Sequence, residues 1–351
     1  MLRLAARAAS ALTLASALAL TATTPALADP LSQPTATDVV GTGSATTEQL
    51  YNRLSTDYNA SLAAAGDTVS PRLYSWDATG ASPITPKAGA AAISRPYGPN
   101  SGITALTAYP DTVDFARSNR GPQPEDPVTD TFVALAKDAV AWAAPVGGNA
   151  PVNLSASELR LIYSCLHTNW RQISPSLPDA EIRPVLPRFP SETRRAFLQM
   201  LDSLEGPGPF PTPGPCVTTG EQENQGTDAL LHDPNAIVPY SVGHYIGQVY
   251  GGLGRPGDEP GLLTPRAMNG MASLDPAAAV VPAAYSASFG FVLYTVVREV
   301  DWISPGARGQ ALRNIFGRTG WVCRSPDAQY AIRIHGFRPL PATACGSTTH
   351  S

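Results

Sequence analysis

Apolar positions along this 351-residue chain recur at two different periods. Leu50, Tyr51, Leu54 and Tyr58 keep helical spacing, and Thr46 with Gln49 stand at capping-box spacing before them, so a helix is predicted to begin near Thr46. Ser101 to Leu106 opens a second helix with Ser101 as its cap. Ser155 and Glu158 form another capping box ahead of Leu159, Ile162, Tyr163 and Leu166. Ser191 caps a helix whose inward face is Phe197, Leu198, Leu201 and Leu204. Strand patterns lie at Asp38–Val40, Arg72–Trp76, Val113–Ala116, around Phe132 to Trp142, at Ala236–Ser241 and at Phe289–Val297. Strands alternating with helices imply parallel sheets with helices on both faces. A Pro-rich link, Gly121 to Pro127, leads into the run at Phe132, which carries the chain into a second lobe; Ala236–Ser241 is expected to bring it back.

The ends bear on the compartment. Arg3 and Arg7 precede an apolar run from about Ala8 to Leu20, and Ala26-Leu27-Ala28 supplies a small-x-small cleavage pattern. Residues 1–28 therefore read as a signal peptide, with Asp29 as the first residue of an exported chain. The run is short for a membrane span, and no cysteine at the cleavage point offers a lipid attachment site. Residues 29–37 read as a disordered leader. The remainder is long enough for two lobes with separate cores. Thirty-five prolines and 30 glycines predict many loops, while 43% hydrophobic residues support a globular fold. A net charge of −4, with no block of lysine or arginine, argues against nucleic acid or an acidic membrane as partner.

Candidate chemistry is sparse. Four cysteines in an exported chain read as two disulfides. No C-x-x-C and no histidine ligand spacing suggest a metal. Gly252 to Gly257 fits G-x-G-x-x-G, but Pro256 interrupts it and it reads as a loop. Asp228, His232 and Asp233 read as a solvated helix end, and Trp142, Trp170 and Trp321 as packing residues. No nucleophile–base pair stands out, so neither an enzyme nor a cofactor is expected. What does recur is a short strand, a small-residue turn and a capped helix: Gly43 to Thr46, Asn100 to Gly102, and Ser191 to Thr193. Free N–H groups and the positive dipole end at such helix starts bind anions, with Arg120 or Arg188 nearby as a counter-charge.

At these residues the chain resembles the phosphate-binding components of ABC transporters. The resemblance rests on Gly41 to Thr46, Asn100 to Ile103, Thr112 to Ser118, Pro187 to Phe197, Leu159 to Tyr163 with Thr168-Asn169-Trp170, Asn224 to Asp228, Asn235 to Ile237, and Gly336 to Leu340, all in serial order. It implies an α/β, two-lobed type II periplasmic-binding-protein fold, each lobe a mostly parallel sheet flanked by helices, joined by two hinge crossings. Lobe 1 is expected over 38–130 plus 241–351, and lobe 2 over 131–240. Of the three possible disulfide pairings, Cys165 with Cys216 and Cys323 with Cys345 are favoured, because each pair then falls within one lobe.

Carried over residue by residue, the ligand contacts fall on Ala45, Thr46, Ser101, Asn119, Arg188, Ser191 and Thr193. Asn119 stands where the family has a carboxylate, and Pro190-Ser191-Glu192-Thr193-Arg194 where it has Gly-Ser-Gly-Thr-Arg. The expected function is a monomeric, exported solute-binding protein that takes phosphate or a related small oxyanion and hands it to an ABC permease. The alternative is a secreted scaffold that keeps the fold with a degenerate ligand site.

Overall fold

The computed structural model describes residues 29–204, 213–220 and 222–350. Residues 1–28, expected to be a signal peptide, the side chain of Leu204 and much of the Pro/Gly-rich stretch after it lie outside the described residues.

The first half of the chain alternates as expected: β1 (Val39–Gly43), α1 (Glu48–Ala64), β2 (Leu73–Ser75), α2 (Gly98–Ala108) and β3 (Phe115–Ser118). Leu50, Tyr51, Leu54 and Tyr58 of α1 are buried, which is what their period predicts. Two helix starts differ from expectation. The N-cap of α1 is Thr47, without a side-chain bond, and the Thr46 hydroxyl faces elsewhere. Helix α2 begins at Gly98 behind Tyr97, so Ser101 sits inside its first turn rather than at its cap. Two glycines set the approach of α2 to β1: a Cβ on Gly102 would stand 2.7 Å from the Gly43 Cα, and Gly43 itself has φ +124°.

The 16-residue β4 (Asp130–Pro145) follows, then β5 (Asn153–Leu154) and α3 (Ala156–Tyr163), whose Ser155–Glu158 capping box is present in full. Leu166 lies past the end of α3 and is exposed, because the helix stops at Tyr163. Next come β6 (Arg183–Leu186), α4 (Glu192–Leu204), β7 (Thr218–Thr219), β8 (Ala236–Ser241), α5 (Val242–Val249), β9 (Leu263–Pro265), β10 (Ala267–Met268) and α6 (Ala283–Phe289). The chain ends through β11 (Gly290–Arg298), α7 (Glu299–Ile303), α8 (Ala307–Phe316), α9 (Trp321–Arg324), α10 (Pro326–Ile334), β12 (Arg338–Pro339) and β13 (Thr348–Thr349).

Among the described residues one large sheet has the core order β2-β1-β3-β11-β4-β8-β6-β7. Strands β2, β1 and β3 are parallel, as are β8, β6 and β7; β11 and β4 run antiparallel between the two groups. β4 belongs to both groups. Its residues 130–139 pair with β11, and its residues 140–145 with β8 and β9. Almost every residue of β4 is buried, as a strand covered on both faces must be.

Two sets of apolar clusters give the molecule its two lobes. Leu50, Tyr51, Phe115, Leu293, Leu312 and Phe316 fill one; Trp142, Leu159, Tyr163, Trp170, Phe197 and Leu201 fill the other. Val242, Ile246, Met268, Val281, Tyr285 and Phe289 also pack in the second cluster. β8, expected to carry the chain back, instead stays in the second lobe between β4 and β6, and the return runs through β11. A buried six-residue strand reads the same in either lobe, so its pairing partners decide.

Cys165 pairs with Cys216 and Cys323 with Cys345. By loop length alone each bridge stabilises by about 3–4 kcal/mol. Residues 29–37 are tied to the body: Asp29 forms a two-pronged ion pair with Arg95 at 2.6 and 2.7 Å, and the Gln33 amide donates to the Thr85 carbonyl. No helix among the described residues is long and apolar enough to cross a membrane.

Candidate functional site

Residues that follow β1 and β8, namely Ala45, Thr46 and His244, line one cleft, at the kind of sheet edge where open α/β sheets take ligands. On the first-lobe side the turn after β1 is braced from beneath by Arg117 of β3. Its fully buried guanidinium donates to the carbonyls of Gly43, Ser44 and Trp76 and to the Ser75 hydroxyl, at 2.5–3.3 Å. Burial lowers its pKa to about 10, so it stays charged at neutral pH. The hydroxyl of Thr46 is thereby held at the cleft wall, where it accepts from Asn119 Nδ2 at 3.2 Å.

The second-lobe side is the start of α4. Ser191 caps it, accepting from the Arg194 N–H at 3.1 Å, and the Thr193 N–H is free for another acceptor. That acceptor is Glu223, on the segment between β7 and the 3-10 turn Ala229–His232. Its Oε2 accepts from Ser191 Oγ at 2.6 Å and from Thr193 N at 3.0 Å, while its Oε1 accepts from Thr46 Oγ1 at 2.8 Å. Hydroxyls from both lobes and a helix-terminal amide thus converge on one carboxylate. This is the donor set expected for an oxyanion without a metal.

Beside this point lies a cleft of about 280 Å³, whose walls include Ala45, Thr46, Tyr97, Glu223, His244 and Arg255. Arg255 bonds Glu48 and lies 3.2 Å from Asp77 and 3.7 Å from Asp258. His244 of α5 has Nε2 at 2.6 Å from Asp258 and Nδ1 at 3.1 Å from the Thr46 carbonyl. Both ring nitrogens face acceptors, which requires the doubly protonated ring. Burial alone would lower the His244 pKa, but the Asp258 carboxylate outweighs it and the value rises to about 9. Burial pushes Asp258 up in turn, yet His244 and Arg255 bring it down to about 2. The pair is charged at neutral pH and anchors the first-lobe turn to α5.

Of the residues expected to hold a ligand, the structure brings Thr46, Asn119, Ser191 and Thr193 into one bonded group around Glu223, with Ala45 on the cleft wall. Ser101 does not join them; it lies along α2 and lines none of this cleft. Arg188 is exposed, and its guanidinium meets the Gln222 amide, whose other side faces the Tyr97 hydroxyl. Arg120 is no counter-charge for the cleft, being committed to Asp126 and Asn100. Glu192 is buried and paired with Arg195, while Arg194 bonds the Pro187 carbonyl. Burial raises the Glu192 pKa, which Arg195 opposes. Among the described residues, the buried Ser44 Oγ, Thr47 Oγ1 and Asn119 Oδ1 have no hydrogen-bond partner.

Sequence reasoning missed Glu223, Tyr97, His244, Arg255 and Asp258. Glu223 had one available signal: it immediately precedes Asn224-Gln225-Gly226-Thr227-Asp228, a stretch already singled out. Arg255 sits in the G-x-G-x-x-G look-alike, a loop here, as expected. Asp228 caps the 3-10 turn, accepting from the Leu230 N–H at 2.9 Å. No group of three or more histidine, cysteine or acidic residues among the described residues is placed to hold a metal.

Comparison with known proteins agrees with this architecture. No curated protein matches the chain. Among solved structures, it is similar to an ABC-type phosphate transport receptor from Vibrio cholerae at 16% identity and a TM-score of 0.55, over 87% of this chain and 100% of that one. It is also similar to a phosphate-binding protein from Stenotrophomonas maltophilia at 14% identity and 0.52, over 87% and 91%. A phosphate-bound periplasmic phosphate-binding protein, PfluDING, matches at 18% identity and 0.55, again over 87% and 91%. At such identities the likeness is one of fold. Residues 28–248 match the family described as the PBP superfamily domain, and with more than half its length inside that match the chain belongs to this family.

Proposed function

We propose that the chain is an exported solute-binding protein that clamps a small oxyanion, phosphate or a close analogue, between its lobes for delivery to an ABC permease. The observation behind this reading is the convergence of Thr46 Oγ1, Ser191 Oγ and the Thr193 N–H on one anionic group, with donors from both lobes. A ligand held from both sides drives lobe closure, because only the closed state offers it every contact. Asn119 adds selectivity. Its Nδ2 is engaged by Thr46, leaving a buried carbonyl unpaired, which suits an oxyanion that still carries a proton. Hydrogen phosphate is therefore preferred to sulfate. The lobes divide as their cores do, and the chain works as a monomer.

The test is calorimetric titration of the 29–351 chain with phosphate and sulfate up to tens of millimolar, for Glu223→Ala, in which the donors are free, and for the same chain carrying Thr46→Val as the variant. Saturable phosphate binding, weaker sulfate binding and a loss of about tenfold in the variant are expected, one hydrogen bond to a charged group being worth about 1.5 kcal/mol. Absence of binding by either anion, or equal affinity in the variant, contradicts the reading. A second reading, a secreted interaction protein with a filled site, is favoured by one observation: Glu223 already occupies the donors.

A further inference from the structure

We infer that Glu223 is the resident anion of the cleft: it holds the two lobes together when no solute is present, and an entering oxyanion must displace it. This rests on the oxyanion reading above and adds the control of that same site. Glu223 is delivered by the second lobe. The neighbouring Asn224 has a left-handed backbone (φ 59°), and its Oδ1 accepts from the Ser241 N–H at 2.9 Å. Its carbonyl accepts from the Tyr240 hydroxyl at 2.6 Å and from Gln248 Nε2 at 3.0 Å. Tyr240, Ser241 and Gln248 lie on β8 and α5, so the segment is pinned to the second lobe's framework.

From that anchor the carboxylate reaches across to the first lobe. Its 2.8 Å bond to Thr46 spans the cleft, and the neighbouring Gln222 reaches the Tyr97 hydroxyl on the same side. The other oxygen uses the α4 cap hydroxyl and a first-turn amide, the groups that would otherwise face solvent or a ligand. A phosphate oxygen and Glu223 Oε2 cannot share those donors, since two anions in one site repel. Glu223 is thus a tethered competitor. If it occupies the donors 90–99% of the time, the apparent affinity for a free oxyanion falls about 10- to 100-fold. Glu192 is paired with Arg195; burial and, beyond it, the Glu223 charge raise its pKa, so it adds to the repulsion that a second anion would meet.

The experiment compares wild type, Glu223→Ala and Glu223→Gln. Inorganic phosphate affinity is measured by calorimetry, and the radius of gyration by small-angle X-ray scattering with and without phosphate. The glutamine variant keeps the side chain's shape and covers the case in which the alanine variant folds poorly. Without phosphate, the alanine variant should be more expanded than wild type and should contract to the wild-type radius when phosphate is added. Its phosphate Kd should be at least tenfold tighter, with glutamine intermediate. Unchanged radius and unchanged Kd in both variants overturn the inference, even if phosphate binds. Expansion of the alanine variant with no phosphate binding leaves the tether standing and removes the oxyanion reading instead.

Discussion

The two walls of the cleft present similar donors but are held in different ways. The first-lobe wall rests on Arg117, a buried guanidinium that bonds three carbonyls and a hydroxyl beneath the turn carrying Thr46. The second-lobe wall rests on one cap hydroxyl, Ser191, and on the contact of α4 with Glu223. One wall is braced from within its own lobe; the other is bonded to a carboxylate that also reaches the opposite lobe. In the proposed clamp the first wall would be the fixed jaw that defines position and the second the compliant one that responds to occupancy.

That contrast breaks first at Arg117. Arg117→Met leaves several buried acceptors unpaired under the fixed wall, and a loss on the order of 3 kcal/mol in urea unfolding is expected. A loss below about 1 kcal/mol would mean that the turn holds its shape without the guanidinium, and the two walls would then be equivalent.

A somewhat smaller effect sharpens the contrast through pH. His244 has a folded pKa raised to about 9, so its contribution is fully present below about 6.5 and is lost as pH rises through 9. Asp258, lowered to about 2, contributes above about 3.8 and loses that contribution as pH falls through 2. The ion pair should therefore stabilise the chain most between about pH 4 and 6.5, with about 2–3 kcal/mol lost by pH 9. In Asp258→Asn the burial of His244 is opposed only by the Thr46 carbonyl and the charge of Asp138, so its pKa should fall towards the ordinary value and the alkaline loss should shrink. Urea midpoints at pH 5, 7 and 9 for both proteins read this out; parallel profiles would show that the ion pair does not anchor the turn to α5.

How much of this was legible in the sequence follows from what periodicity can carry. Leu50, Tyr51, Leu54 and Tyr58, or Leu159, Ile162 and Tyr163, announce their helices because burial of one face repeats at helical spacing. Ser155 and Ser191 were found as caps because a cap is a local arrangement. Thr46 and Ser101 had the same local look but not the role: Thr46 spends its hydroxyl on Glu223, and the N-cap of α2 is Tyr97, four residues before Ser101. Asn119, Ser191 and Thr193 were legible as candidates from the family resemblance, Ser191 and Thr193 also from the strand–turn–helix pattern, and they fall in one bonded group with Thr46 and Glu223. Glu223 itself was not legible, because it sits on an aperiodic segment and acts only when the opposite lobe lies 2.8 Å away. The same holds for His244 with Asp258, a pair whose charge state is set by burial together with a partner 14 residues away. The path of β8 was ambiguous for a related reason, its neighbours being fixed by pairing and not by composition.

The most direct test of the account is a crystal structure of Glu223→Ala grown with phosphate. One phosphate is expected between the lobes, with its oxygens within hydrogen-bond distance of Thr46 Oγ1, Ser191 Oγ and the Thr193 N–H, where the two carboxylate oxygens of Glu223 lie in the native chain. A closed cleft with those three donors facing only water, or a phosphate bound elsewhere, would contradict it.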